Sequence, residues 1–357
     1  MQNKTFIKIW FLVVASIVIM IALLNYLIDP FGVFHTNLLT KSKSLNERVV
    51  KIDYLSKHKA RYNAFMLGSS TMGTTNPKVL ESYVKNSHFY NLTCSSSNMY
   101  DFKVLIKYLL TQEGYDVKNL YLQIDLTSLR EYGKHPSHGQ KHHYLVNNQP
   151  AWQFYLEYLT IFPYEAMKAK VLMALKDAPA TEFDIENSGM WSVKYKDRAR
   201  EKDLVGYIAN EHSFKKHSRR TRGVEKNFDR IIADFQEIVA MCQAHDVNLT
   251  VLTTAYNHLR LDAFKTKDVL HFIKALVAYH DIWVFSDYNT ITKNNKNYYE
   301  VNHFIPKVGA LKAARIYHDT QAGVPKDFGH HVTSENIDTF MHTEKENFFS
   351  HDREKAY

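Results

Sequence analysis

Three residues of this chain have the types and spacing of an activated-serine site. Ser70 closes Gly68-Ser69-Ser70, directly after the apolar run Ala64-Phe65-Met66-Leu67. A short buried strand that ends this way can present a nucleophilic hydroxyl. The strand fixes the backbone, the glycine permits a tight turn, and the next segment is expected to start a helix whose N-terminal amides favour negative charge. A serine hydroxyl is unreactive at neutral pH and needs a base within hydrogen-bond reach. Far downstream, Glu300-Val301-Asn302-His303 puts a carboxylate three residues before a histidine. His303 is the candidate base, and Glu300 the acid that orients it and stabilises its charged form. Each piece alone has a plainer meaning. Strands often end in Gly and Ser as turn chemistry, and Glu-x-x-His before a helix can be a capping segment. Both pieces in one chain favour a nucleophile, a base and an acid.

The elements that must position these residues follow from the hydrophobic pattern. Residues 64–67, 88–92 and 120–126 read as short buried strands. Residues 100–110 carry helical spacing at Phe102, Leu105, Ile106, Leu109 and Leu110. The first part is therefore β-loop-β-α-β, the pattern of a parallel sheet flanked by helices. Residues 29–60 form a connector with some helix at 46–58. Residues 130–225, rich in aromatics and charges, interrupt the alternation and read as a mostly helical insertion or cap over the site, with an amphipathic helix at 153–175. The alternation resumes with helices at 227–245 and 269–279, strands at 249–253 and 282–285, and a last helix at 304–317. Residues 321–357 read as a polar, partly disordered C-terminal tail. A loop just before the last helix could deliver Glu300 and His303 to the C-terminal edge of the sheet, where sites of open α/β sheets form.

The chain has 357 residues, 45% of them hydrophobic, and a net charge of +8. Most of it should fold, and the charge suits anionic surfaces such as membrane phosphates or a phosphate-bearing polymer. No zinc-finger spacing, basic zipper or single-strand-binding aromatic signature marks a nucleic-acid module. Cys94 and Cys242 both sit in apolar contexts, so one disulfide and two free buried thiols are both open. Residues 9–28 are long and apolar enough to cross a bilayer. No small-x-small cleavage site follows them, which favours an uncleaved anchor over a signal peptide. Lys4 and Lys8 before the span favour a cytoplasmic N-terminus, while Lys41 and Lys43 beyond it weaken that slightly. The bulk of the chain is then expected outside the cytoplasm, periplasmic or extracellular.

Several segments together resemble a known family. They are Asp29-Pro30-Phe31-Gly32-Val33-Phe34 after the span, Phe65-Met66-Leu67-Gly68-Ser69-Ser70, and Tyr90-Asn91-Leu92-Thr93-Cys94-Ser95-Ser96-Ser97. Leu122-Gln123-Ile124-Asp125-Leu126 and Tyr298-Tyr299-Glu300-Val301-Asn302-His303-Phe304 complete the set. In this order, over most of residues 1–317, the chain is similar to membrane-anchored members of the SGNH/GDSL hydrolase superfamily. Within it, the likeness is to the branch that modifies cell-surface polymers, which includes alginate-type and peptidoglycan O-acetyltransferase proteins and the teichoic acid D-alanyl transfer protein. The resemblance implies a three-layer α/β/α, flavodoxin-like fold. It also implies an acyltransferase or esterase acting on O-acyl groups, above all O-acetyl, of a cell-envelope polysaccharide through an acyl-serine. Transfer would require a multi-span membrane acyltransferase partner, and no cofactor or metal is implied.

Carried over by position, Ser70 matches the nucleophile, His303 the base and Glu300 the acid, where the family usually has aspartate. Ser96 falls where the family offers a glycine amide to the oxyanion. Asp125 falls where the family supplies an asparagine donor, and an ionised carboxylate cannot donate. Ser69 or Thr71 could replace that donor. Without a replacement the chain would read as a non-catalytic envelope binding or assembly factor. Elsewhere, His258 beyond the strand at 249–253 could touch substrate. His135, His138, His142 and His143 could bind a metal but lack regular ligand spacing and read better as a polar loop. The basic run from Lys215 to Arg222 suits lipid headgroups or a polyanion, or is a solvated face.

Overall fold

The computed structural model describes residues 2–36, 38–39, 44–129, 132–135, 137–215 and 227–354. The basic run therefore lies outside the described residues except for Lys215, as do Lys41 and Lys43. The chain is mixed α/β and divides into two compact units, residues 1–56 with 135–182 and residues 57–134 with 183–357.

The second unit is built on a six-stranded, mostly parallel sheet. Its strands are β1 (Ala64–Leu67), β2 (Phe89–Asn91), β3 (Asn119–Ile124), β4 (Asn248–Thr253), β5 (Ile282–Val284) and β8 (His330–Val332), with β6 (Tyr298–Glu300) and β7 (His303–Phe304) forming a separate two-stranded pair. The order across the main sheet is β8-β5-β4-β3-β1-β2, with β8 alone antiparallel. The five parallel strands thus run 2-1-3-4-5. The order reverses between β1 and β3, the switch point at whose carboxyl ends ligands bind in doubly wound sheets. Every residue of β1 and β2 is buried, as expected of parallel strands covered on both faces. The helix Met99–Thr111 starts with a capping box, in which the Asn98 side chain accepts from the helix amides and Asp101 returns a bond to the Asn98 N–H.

Residues 328–354 are not a loose tail. His330–Val332 pairs with Ile282–Val284, and an 18-residue helix, Ile337–Glu354, follows. Val332, Ile337, Phe340 and Glu344 are buried. Four widely spaced inward positions carry this packing, too few to stand out in a polar sequence.

The first unit contains a helix of 27 residues, Gln2–Ile28. Within Lys4–Ile28 an 18-residue apolar window has a mean hydropathy of 2.7 and none of that window is buried within the protein, so the helix is long and apolar enough to span a membrane. At its end Asn25 is buried and donates to the Leu159 and Ile161 carbonyls. Asp29, at φ +44°, accepts from Val33 and Phe34. Phe31, Val33, Val49, Phe154 and Tyr158 then form a small core. The single helix expected at 153–175 is two, Ala151–Thr160 and Tyr164–Leu175, parted at Pro163, which cannot donate to a continuing ladder. Trp152, Leu156, Phe162, Tyr164 and Leu175 on this pair are exposed. Among the described residues His135, His138, His142 and His143 form no group that could hold a metal: His135 meets Arg48, His138 meets Glu157, and the His143 ring accepts from the Leu145 amide.

The region read as one insertion is accordingly divided. Its described residues from 135 to 182 belong to the first unit, and those from 183 to 215 to the second.

Candidate active site

β1 delivers Ser70 at its C-terminal end. The expected helix after it is only a three-residue turn, Ser70–Met72, of the tight 3₁₀ kind. Negative charge at Ser70 therefore depends on individual donors rather than on a helix terminus. Across the site, β6 and β7 hold Glu300 and His303 on a tight turn ahead of the helix Pro306–Ile316. His303 Nε2 lies 2.9 Å from Ser70 Oγ. His303 Nδ1 is hydrogen-bonded to Glu300 Oε1. Asn302 donates to the other carboxylate oxygen from its backbone N–H at 3.1 Å and its side chain at 3.2 Å. Burial works to raise the Glu300 carboxyl, but the bond to His303, its charge and the Asn302 amide outweigh it and hold the group below the usual range. An ionised Glu300 only accepts, so the His303 proton sits on Nδ1 and Nε2 is left free to take one from Ser70.

A strap from the second half of the former insertion braces this turn. The Trp191 ring meets the His303 ring edge-on at 5.8 Å. Arg200 donates to the Tyr298 and Lys296 carbonyls, Tyr207 to the Tyr299 carbonyl, and the Tyr299 hydroxyl to Asp197. Ser213 Oγ accepts from the Val301 N–H. These contacts join residues about a hundred positions apart, beyond the reach of local sequence patterns.

Asp125 does not face the site as a donor. It is buried, and its carboxylate accepts from the hydroxyls of Ser69, Thr71 and Thr254. The two hydroxyls offered as substitute donors are thereby committed to Asp125, which pins the turn on either side of Ser70. Behind it, Gln123 donates to Thr71 Oγ1 at 2.7 Å, and the buried Lys312 donates to Gln123. Burial raises the Asp125 carboxyl above its ordinary range, opposed by Ser69, Thr71 and the charge of Lys312. Burial also pushes the Lys312 ammonium down to about 7, opposed by Asp125.

Two backbone amides stand open at the site. Those of Ser70 and Ser96 have no hydrogen-bond acceptor among the described residues, and both residues line the same cleft. Ser96 sits at φ +57°, the left-handed conformation that glycine adopts most easily.

The cleft is about 210 Å³ and is lined by Ser70, His303, Ser96, Asn98, Tyr256 and Arg260 among others. His258 does not line it. Arg260, two residues on in the same short helix, does. Its guanidinium lies over the Tyr256 and Phe264 rings at 5.9 and 5.5 Å and has no carboxylate partner among the described residues. Only its position beyond the β4 strand end could have marked it in the sequence. Cys94 and Cys242 are free and buried.

A scan against protein-family models gives no match, and a search of curated proteins gives none either.

Proposed function

We propose that the chain is a membrane-anchored serine acyltransferase or esterase of SGNH type, acting on O-acyl groups of a cell-envelope polysaccharide. The observation that carries this is the continuous hydrogen-bond chain Ser70–His303–Glu300 at the carboxyl end of β1. His303 Nε2 takes the Ser70 proton as Oγ attacks the acyl carbonyl, and the Ser70 and Ser96 amides hold the resulting oxyanion. His303 then protonates the departing oxygen, leaving an acyl-serine. It next deprotonates an acceptor hydroxyl, which takes the acyl group and releases Ser70. With a sugar hydroxyl the outcome is transfer, and with water it is hydrolysis.

The parallel 2-1-3-4-5 sheet and the order of motifs support the family assignment. The N-terminal apolar helix and the exposed Trp152, Phe162 and Tyr164 near its end suit a single-pass anchor with an extracytoplasmic catalytic unit. Lys4 and Lys8 then lie on the cytoplasmic side. Acyl-CoA is cytoplasmic, so transfer needs a multi-span partner to bring the acyl group outward. The unpaired Arg260 favours an acceptor carrying carboxylate or phosphate.

The test is labelling of the full chain in detergent with a fluorophosphonate, together with hydrolysis of p-nitrophenyl acetate. Wild type should label and turn over, and Ser70→Ala should do neither. Equal behaviour of the two proteins would rule the proposal out.

A further inference from the structure

We propose that Asp287, His330 and Glu344 bind a divalent cation of the zinc class, at a site separate from the serine centre. Asp287 follows β5, His330 opens β8, and Glu344 lies in the C-terminal helix Ile337–Glu354. One ligand atom from each comes within 4.8 Å of the other two. Asp287 Oδ2 and His330 Nε2 are 3.3 Å apart. Asp287 and Glu344 are 3% and 1% exposed.

The remaining carboxylate oxygens are already occupied. Asn289 donates to Asp287 Oδ1 at 2.8 Å and Asn347 to Glu344 Oε1 at 3.0 Å. Glu344 Oε2 is buried and has no hydrogen-bond partner among the described residues, and a carboxylate oxygen of Glu344 lies within 4.8 Å of the ligand atoms of Asp287 and His330. No lysine or arginine among them pairs with either carboxylate. Arg315 donates from Nε and Nη2 to the Phe328 and Pro325 carbonyls rather than to either carboxylate. Two buried carboxylates that share one imidazole and no cationic side chain are costly unless a cation joins them.

The donor set is one imidazole nitrogen and two carboxylate oxygens, which suits zinc more than calcium or magnesium. On a tetrahedral ion with bonds of about 2.1 Å, ligand atoms stand about 3.4 Å apart. Asp287 and His330 are already at that spacing, and a side-chain adjustment brings in Glu344. Water takes the fourth position. The ion would staple the antiparallel strand and the C-terminal helix to the end of β5.

The experiment uses the untagged full chain in detergent, stripped with EDTA and titrated with ZnCl₂ alone, with calorimetry and thermal unfolding as readouts. One equivalent should bind and raise Tm by several degrees. Both effects should vanish in Glu344→Gln and His330→Asn, with far-UV circular dichroism of the metal-free variants confirming that they fold. Co²⁺ should give visible absorption bands that Glu344→Gln loses. Fluorophosphonate labelling of Ser70 is a separate readout, so failure here leaves the serine site untouched. No zinc effect on wild type, or an effect that persists in both variants, overturns the proposal.

Discussion

Gly73 and Trp191 are fitted to one another without slack. The Trp191 backbone N–H donates to the Gly73 carbonyl at 2.9 Å, and a Cβ on Gly73 would lie 1.6 Å from Trp191 Nε1 on the indole. The Trp191 indole also meets the His303 ring. A residue three positions after Ser70 thus sets the wall against which His303 packs. Gly73→Ala should therefore displace Trp191, cost about 1–3 kcal/mol of stability and slow fluorophosphonate labelling of Ser70. Denaturant unfolding and the labelling rate read the two effects, and a variant with both unchanged would contradict this fit.

Glu300 holds His303 through one oxygen and is itself held by Asn302 through the other. Glu300→Gln keeps the shape but removes the acceptor that fixes the tautomer. Ester turnover should fall about 10⁴-fold, as when the orienting acid of a serine triad becomes its amide. Glu300→Asp keeps the charge and shortens the reach, and a misplacement of about 1 Å costs about 10²-fold. The order Glu, then Asp, then Gln in steady-state turnover is the expected result.

Ser96 bears a left-handed backbone that costs an L-residue about 1–2 kcal/mol. Ser96→Gly should leave stability level or slightly raised and retain activity. Ser96→Pro removes the N–H and cannot adopt φ +57°. It should lose about 10²–10³ in acylation rate, the effect of deleting one oxyanion donor. The burst of p-nitrophenolate measures acylation directly.

Lys312 has a folded-state pKa near 7, pushed down by burial, against about 10.4 when unfolded. Between these values the unfolded chain carries the proton and the folded one does not, so stability rises with pH. The rise is up to about 1.4 kcal/mol per pH unit. Wild type should gain about 2 kcal/mol relative to Lys312→Met between pH 7 and 9. Denaturant midpoints at the two pH values test this, and a constant difference between the proteins would refute the buried-lysine account.

Much of this was legible in the residues. The bounds of β1 match the apolar run before Gly68, and the hydrophobic pattern located the other parallel strands and the helix Met99–Thr111 to within a few residues. Ser70, His303 and Glu300 come together because two short motifs each end or begin an element at the same sheet edge. The clustering of three hydroxyls on Asp125 was not legible, since Ser69, Asp125 and Thr254 sit on three different strand ends. Nor was the brace around Tyr298–Tyr299, whose donors Arg200 and Tyr207 sit in two short helices about a hundred residues upstream. The sequence pattern points to His258 rather than Arg260 because a strand end does not say which side chain of the next turn faces the cleft.

The antiparallel strand His330–Val332 also guards the sheet. By pairing with Ile282–Val284 it satisfies a row of backbone groups that would otherwise be open to another molecule's strand, and it does so with a short segment bearing two histidines, a poor template for further pairing. A chain ending before residue 325 would bare β5, with its Ile-Trp-Val sequence, as an edge. Such a truncated protein should self-associate where the full chain stays dispersed, which light scattering at matched concentrations would register.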